Sequence, residues 1–514
     1  MSFNLATLLV ESARATPDKA VWKFMGASGT YRELDEASDR VAANLRARGL
    51  APGDRVAVCL PNVPQFLEAY WGIMKAGLVM VPLNPLLKAP EIAYHLSDAG
   101  AGVLIAYELF AAESMSAVTE VGDVATFIVP FLDSTAPPPE GAEPFAALGA
   151  PATQGAPAAG LVLRNSDDTA VLLYTSGTTG RPKGAELTHF QLYMNCTVAG
   201  EVFGVQIDDV ALAVLPFFHV FGLSSVVNLV TRFNGTLSIV PRFEAGPVLD
   251  VMEADGVSVF LGVPTMFQAL LGEDYKARDL SRLRIAVSGG AAMPGEVMRP
   301  FEAAFGIVIL EGYGLSETAS GATFNRSALE RKPLSVGKPL WGVDMAVLDE
   351  DGHVLAPGSD HVGEIVIRGH NVMKGYFGRP EETAAALRDG WFHTGDLGYV
   401  DEDGFYFIVD RKKDLIIRGG FNVYPRELEE VLLEHPSIAE VAVIGKPDAR
   451  LGEEVVAVVV PAAGMTLSAQ DVITFAKARM AAYKYPREVR IVDALPKGPT
   501  GKILKTDLRR STGH

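Results

Sequence analysis

The feature that most constrains the fold is the regular alternation of short apolar runs with helix-patterned segments near the start of the chain. Residues 55–60 (Arg-Val-Ala-Val-Cys-Leu) predict a strand, 63–75 a helix stopped by Gly77, 79–82 a strand, 89–97 a helix and 103–106 another strand. Strand, helix, strand in this order implies a parallel sheet covered by helices. The alternation resumes with strands at 210–215, 257–261 and 285–288. From 336 to 409 the helices thin out, and short strands at 345–348, 363–368 and 405–409 are separated by Gly, Asp and Pro turns, which predicts a small β-rich, barrel-like subdomain. A second unit begins near Asp410, with a helix at 425–433, strands at 440–444 and 455–460, a helix at 468–480 and a strand at 488–492. It is a compact α+β unit of about a hundred residues, within the usual size of a domain. The expected architecture is therefore α/β, with a large N-terminal domain at 1–410 and a small C-terminal domain at 411–514. The Pro-, Ala- and Gly-rich stretch 134–160 reads as a surface connection, and no internal repeat is visible.

A chain of 514 residues that is 48% hydrophobic can bury more than one core. Its apolar runs are broken before membrane length; the greasiest, 257–271, contains Gly262 and Pro264. Residues 1–14 lack the basic start and cleavage-like site of a secretory leader, and Cys59 and Cys196 are the only cysteines, so a reduced, cytoplasmic protein without a disulfide scaffold or zinc spacing is expected. A formal charge of −17 argues against general nucleic-acid binding. The charge is uneven, however. Between Lys477 and Arg510 basic residues outnumber acidic ones, and that end would attract an anionic substrate.

Within this frame one loop carries the chemistry. The apolar run 170–174 leads into Thr175-Ser-Gly-Thr-Thr-Gly-Arg-Pro-Lys-Gly184, where Gly177, Gly180 and Gly184 allow backbone amides to approach an anion. Thr175, Ser176, Thr178 and Thr179 add hydroxyls and Lys183 adds a cation, a set suited to a polyphosphate. Lys183 follows Pro182 and precedes Gly184, so the loop departs from the P-loop ATPase pattern. Glu311-Gly-Tyr-Gly-Leu-Ser-Glu-Thr318 nearly matches a nucleophile elbow, but Thr318 stands where the final glycine is required, which disfavours a serine hydrolase.

The loop 174–185, together with 311–318, 288–294, 390–398, 410–422 and 496–505 in that family's order, resembles the adenylate-forming superfamily of acyl-CoA synthetases, peptide-synthetase adenylation domains and firefly-type luciferases. The resemblance covers essentially the whole chain. It implies an enzyme that uses ATP, Mg²⁺ and coenzyme A to activate a carboxylic acid as acyl-AMP and pass it to a thiol. By resemblance the nucleotide site comprises Thr175, Ser176, Gly177, Thr178, Thr179, Gly180, Lys183, Gly290, Glu311, Gly312, Tyr313, Ser316, Asp396, Arg411 and Lys413. Tyr313 would stack on adenine, Ser316 bond the α-phosphate, Asp396 read the ribose with Arg411 nearby, and Glu317 hold Mg²⁺ with help from Thr175. Lys502 is the expected catalytic lysine, Lys413 the pivot of a mobile C-terminal domain, and Gly419, Gly420 and Phe421 the approach of the thiol.

The expected acyl pocket is apolar and aromatic: His219 at its mouth, Phe221, Gly222, Val263, Ser288, Gly289, Gly314 and Leu315. It offers no charged anchor for a second carboxylate or an amine. Small glycines at 312 and 314 are expected to leave acyl room. The pattern most resembles bacterial medium- to long-chain fatty acyl-CoA ligases, then 4-coumarate-type aryl ligases. An acyl-AMP ligase that loads a carrier protein shares the first step, and a homodimer is compatible with all three.

Overall fold

The computed structural model describes residues 2–132, 134–151, 160–175, 181–419, 421–448, 450–498 and 501–511. Two helix-covered sheets form the larger part. The first has seven strands, ordered Ala142–Pro144, Ala125–Val129, Ala101–Tyr107, Arg55–Cys59, Val79–Pro82, Thr169–Thr175, Lys183–Thr188, parallel except for the last pair. The second has nine, with Ala20–Phe24, Thr236–Ile239, Val210–Ala213, Val259–Gly262, Ile285–Ser288 and Ile309–Tyr313 parallel at its centre and antiparallel strands at both edges. The central strands are apolar on both faces because helices cover both sides; Val259–Gly262 and Ile285–Ser288 are buried at every position.

Helix boundaries follow local chemistry. The helix Ala89–Ala99 starts at Pro90 in its first turn and ends on Gly100 in the left-handed conformation (φ +59°). His189–Phe203 is started by a capping box between Thr188 and Gln191. In the largest core, Phe66, Tyr70 and Trp71 of the helix Pro64–Lys75 are fully buried. Lys75 is buried with them at 1% exposure, and its charge is met by Asp35 at 2.6 Å and Asp39 at 2.7 Å.

A five-stranded antiparallel sheet follows, in which Trp391–Val400 pairs with Gly363–Gly369 on one side and with Leu387–Arg388 and Tyr406–Arg411 on the other. Among the described residues its ladder does not close into a barrel. The last sheet joins Phe421–Val423, Ile416–Arg418, Gly452–Pro461 and Ile438–Asp448, with Glu488–Ile491 added in parallel, and the helices Pro425–Leu433 and Ala469–Lys477 pack on its core. The stretch 134–160 is more than a connection: Ala142–Pro144 adds an edge strand and Ala146–Gly149 a helical turn whose Leu148 is buried. No helix among the described residues is long and apolar enough to cross a membrane.

Candidate active site

The strands Thr169–Thr175 and Lys183–Thr188, which flank the glycine- and hydroxyl-rich loop, form an antiparallel pair. Thr175, the last residue of one strand, pairs with Lys183, the first of the returning strand. Ser176, Gly177, Thr178, Thr179 and Gly180 lie outside the described residues. The Lys183 ammonium sits 4.6 Å above the ring of Tyr376, and the Tyr376 hydroxyl donates to Glu317 Oε1 at 2.9 Å. Tyr376 therefore stands between the loop lysine and the expected metal carboxylate. Its own segment is bound to the hairpin by backbone bonds from Phe377 to Gly184 (2.8 Å), Glu186 to Gly375 (2.9 Å) and Lys374 to Glu186 (3.0 Å).

Glu317 occupies a single helical turn, Ser316–Thr318, set by a bond from the Leu315 amide to Thr318 Oγ1 at 2.8 Å. The Met373 amide donates to the Glu317 carbonyl at 2.7 Å, which locks this turn to the strand-rich region. The other Glu317 carboxylate oxygen takes no protein partner among the described residues, and a hard oxygen in that state fits a Mg²⁺ ligand.

Tyr313, Asp396 and Arg411 come together from three strands. The Tyr313 hydroxyl donates to Asp396 Oδ2 at 2.6 Å, and Arg411 Nε meets Asp396 Oδ1 at 3.1 Å. Asp396 and Arg411 are also direct partners in the antiparallel ladder. Asp396 is 3% exposed, so its charge is held by these donors rather than by water. Burial and the Asp396 carboxylate push the Tyr313 hydroxyl well above its usual range, and it stays a donor.

The Glu311 side chain is engaged by the protein's own backbone. Its carboxylate is 4% exposed and accepts from the Leu334 amide at 3.0 Å and from the Met293 amide, and burial raises it to about 7. It ties the strand end to two loops. Gly312 and Gly314 differ from expectation. A Cβ at Gly312 would lie 2.0 Å from the Phe324 ring, and one at Gly314 would lie 1.5 Å from the Ser320 carbonyl oxygen. Their smallness admits the protein's own atoms, not acyl volume.

On the opposite side lie the loops after Val259–Gly262 and Ile285–Ser288. A Cβ at Gly289 would meet the Phe221 ring at 3.0 Å, and one at Gly290 (φ +77°) would meet Val263 at 3.6 Å, so Phe221, Val263 and Gly289 of the expected pocket adjoin Gly290 of the expected nucleotide site. Gly222 packs against the Pro216 carbonyl. Ser288 Oγ is buried without a partner among the described residues. His219 Nδ1 accepts from the Phe221 amide at 3.3 Å; burial, aided by the Lys502 ammonium, lowers the imidazole to about 4, so it is neutral near pH 7.

Lys502 reaches this region from the C-terminal unit. The turn at Gly501 (φ +75°) comes so close that a Cβ there would sit 2.9 Å from Thr265 Oγ1 and 3.2 Å from Val263. The ammonium is within electrostatic reach of Arg411, Asp396, Lys413, Asp414 and His219. Burial, then the neighbouring cations, lower it to about 8. The Lys502 side chain is nonetheless exposed to solvent. Lys413 is exposed beside Asp414, which is paired with Arg509 at 2.7 Å. Gly419 and Phe421 are not gathered with these groups: the Gly419 amide donates to Leu451 at 2.7 Å, and Phe421 stacks on Tyr483 with centroids 4.7 Å apart. Gly420 lies outside the described residues.

Sequence reasoning missed Tyr376, Thr394, which bonds Tyr313, and the Tyr94, Asp98 and Arg379 cluster beside the hairpin. A tyrosine between Gly375 and Gly378 and an arginine before Pro380 were the available signals, and neither has a periodicity to reveal it.

The wider comparisons agree with this geometry. Residues 9–377 match the model of the AMP-binding enzyme family, and 427–502 match that of the AMP-binding enzyme C-terminal domain. A feruloyl-CoA synthase of Amycolatopsis sp is 39% identical over 99% of both chains. A long-chain-fatty-acid–CoA ligase of Bacillus subtilis (strain 168) is 38% identical over 98% of this chain and 94% of that one. Among solved structures, ATP-bound MatB from Rhodopseudomonas palustris superposes with a TM-score of 0.89 at 34% identity, over 99% of each chain. The chain belongs to the AMP-binding enzyme family, in the acyl-CoA synthetase branch of the adenylate-forming superfamily.

Proposed function

We propose that the chain joins an apolar carboxylic acid to coenzyme A in two steps at one site, with a medium- or long-chain fatty acid as the favoured substrate. In the first, a carboxylate oxygen attacks the α-phosphorus of ATP and pyrophosphate leaves; in the second, the thiol of coenzyme A attacks the acyl carbon, loses its proton and expels AMP. Two anions must meet in the first step, so the demand is for placed donors and cations more than for an acid or base. The observation that carries this reading is the meeting, in one cleft, of the Lys502 ammonium from the C-terminal unit with Tyr313, Asp396 and Arg411. Lys502 would bridge carboxylate and α-phosphate, Asp396 would hold the ribose hydroxyls and Ser316 the phosphate. Mg²⁺ held by Glu317 and Thr175 would neutralise charge on the phosphates. Neutral His219 would orient the acid without repelling Lys502.

We place the division between units at 410 and 411, with Lys413 as the pivot on which the second step brings Gly419, Gly420 and Phe421 to the thiol. The fatty-acid reading is supported by the apolar contact of Phe221, Val263, Gly289 and Gly290 and by the Bacillus subtilis relative. An aryl acid is the second reading, favoured by the Ser288 hydroxyl, which is without a partner among the described residues, precedes the Gly289 that packs on Phe221 and could meet a ring substituent, and by the feruloyl-CoA synthase relative. Pyrophosphate release over a panel of fatty and aryl acids, with ATP and coenzyme A, tests both. Turnover of aryl acids alone would overturn the fatty-acid reading. Acyl transfer to a carrier protein but not to free coenzyme A would overturn the choice of acceptor.

A further inference from the structure

Both arms of the phosphate-loop hairpin are tied to one helix, Ala89–Ala99, that contributes nothing to the expected catalytic set. Tyr174, just before the loop, donates its hydroxyl to Asp98 Oδ2 at 2.8 Å. Just after the loop, the Pro182 carbonyl accepts from the Tyr94 hydroxyl at 2.7 Å. Tyr94 and Asp98 are four residues apart and so lie on the same helix face, which makes them a two-point clamp across the hairpin. Arg181 extends the contact, its guanidinium 5.3 Å from the centre of the Tyr94 ring. His95 packs edge-on against Tyr174 at 4.5 Å.

The clamp has a second connection. Arg379 pairs with Asp98 Oδ1 at 2.6 Å and also bonds Tyr94. Three residues earlier in the chain is Tyr376, which lies under the Lys183 ammonium and bonds Glu317. One carboxylate thus fixes, by its two oxygens, both the hairpin and the segment that places the expected metal ligand. The Asp98 side chain is only 15% exposed, so water is a poor substitute for either partner.

We propose that Tyr94 and Asp98 are positioning residues that set where Lys183 and Glu317 stand relative to each other, and through them the affinity for the ATP polyphosphate. The proposal rests on the ATP-dependent reading above. Neither residue touches substrate. Their effect passes through the ends of the hairpin, Tyr174 and Pro182, and through Arg379.

The test uses the full chain with Asp98→Asn, which keeps shape but removes the charge, and Tyr94→Phe, which deletes one hydroxyl. Amide hydrogen exchange by mass spectrometry, read without substrate, is expected to quicken in the ladder between Thr169–Thr175 and Lys183–Thr188 in both variants. In ATP–pyrophosphate exchange the KM for ATP is expected to rise about tenfold, the change produced by losing ~1.4 kcal/mol of placement. The KM for the acid and the rate of thioester formation from supplied acyl-adenylate are expected to stay unchanged, and Asp98→Glu is expected to recover part of the ATP affinity. Unchanged amide exchange in the ladder overturns the clamp whatever the activity. Quickened exchange with an unchanged ATP KM overturns its role in nucleotide binding, as does a parallel loss in the thioester step. Wild-type protein that exchanges no pyrophosphate with any acid refutes the ATP reading instead, and the amide-exchange result then still decides whether the clamp exists.

Discussion

Tyr313, Asp396 and Arg411 are joined to one another by a hydrogen bond and an ion pair around a carboxylate that is 3% exposed, whereas the Lys502 ammonium makes no hydrogen bond or ion pair among the described residues. The first group is an interlocked cluster whose electrostatic cost was met when the chain folded. The second is a cation still available to an anion, carried on a turn of a separate unit. In the proposed reaction, a site divided in this way would hold a nucleotide steadily and still withdraw the Lys502 charge between steps, which a site built wholly from interlocked side chains could not do.

The largest effect expected from this contrast is in Lys502→Ala. Acyl-adenylate formation should fall by about 10²–10³, as for removal of one placed donor to a charged transition state, while thioester formation from supplied acyl-adenylate is spared. Rapid-quench measurement of each half-reaction checks it, and an equal loss in both would dissolve the distinction between the two regions. The unfolding midpoint of the same variant should not fall, since an unpartnered ammonium whose charged form is disfavoured by burial adds no stabilising contact.

Asp396→Asn acts on the interlocked side. It leaves Arg411 without its counter-charge, and the KM for ATP should rise roughly 10- to 100-fold, equivalent to about 1.5–3 kcal/mol for hydrogen bonds to a charged group. Here the unfolding midpoint should fall as well. A variant with normal stability and normal ATP affinity would show that the cluster is not preformed as a receptor.

The pH dependence separates the two regions further. Lys502 is lowered to about 8, so its charge is present below that pH and is lost above it. The kcat/KM for adenylation should therefore decline about tenfold per pH unit above about 8, and the decline should vanish in Lys502→Arg even if the maximum is lower. Acid stability reports the N-terminal packing instead. Burial lowers His189 to about 4, and its Nδ1 accepts from the Leu5 amide at 3.1 Å. Between the ordinary value near 6.5 and about 4 the unfolded chain takes up a proton that the folded chain refuses, so stability is present above this window and is lost as pH falls through it. The loss from His189 should be about 2 kcal/mol between pH 7 and 5, read from urea midpoints and reduced in His189→Gln.

The smallest effect is expected in Tyr376→Phe, which retains the ring beneath Lys183 and removes only the hydroxyl bonded to Glu317. A change of ~1 kcal/mol, or about fivefold in the Mg²⁺ dependence of adenylation, is expected. A metal titration checks it, and no change would mean that Glu317 is placed by its backbone bond to Met373 alone.

Much of the site was legible before any coordinates because its residues fall in short runs where spacing and residue type state the chemistry. The strand at Thr169–Thr175, the glycine- and hydroxyl-rich loop and Lys183 are adjacent in the chain, and so are Tyr313, Ser316 and Glu317. Tyr376 and Asp98 were not legible in this way. Tyr376 acts on Glu317 across 59 positions, and Asp98 meets Arg379 across 281, so neither is marked by any local pattern. The same limit explains the glycines. Gly312 and Gly314 are small in sequence terms, but only the positions of Phe324 and the Ser320 carbonyl show that the space beside them is filled.

What the chain alone determined was the order of strands and helices, and with it the helix-covered sheets, because burial on one face or both imposes a period that the residues display directly. The β-rich segment was also visible in its turn residues, although its ladder stays open. Tertiary structure alone decided which distant side chains share a partner: that Asp396 would be held by both Tyr313 and Arg411, that Glu311 would be spent on backbone amides, and that the Lys502 ammonium would stand in the cleft without a hydrogen bond or ion pair among the described residues. Those outcomes depend on how whole elements are set against one another, and a carboxylate or ammonium takes its character from the donors, charges and water that the packing leaves around it.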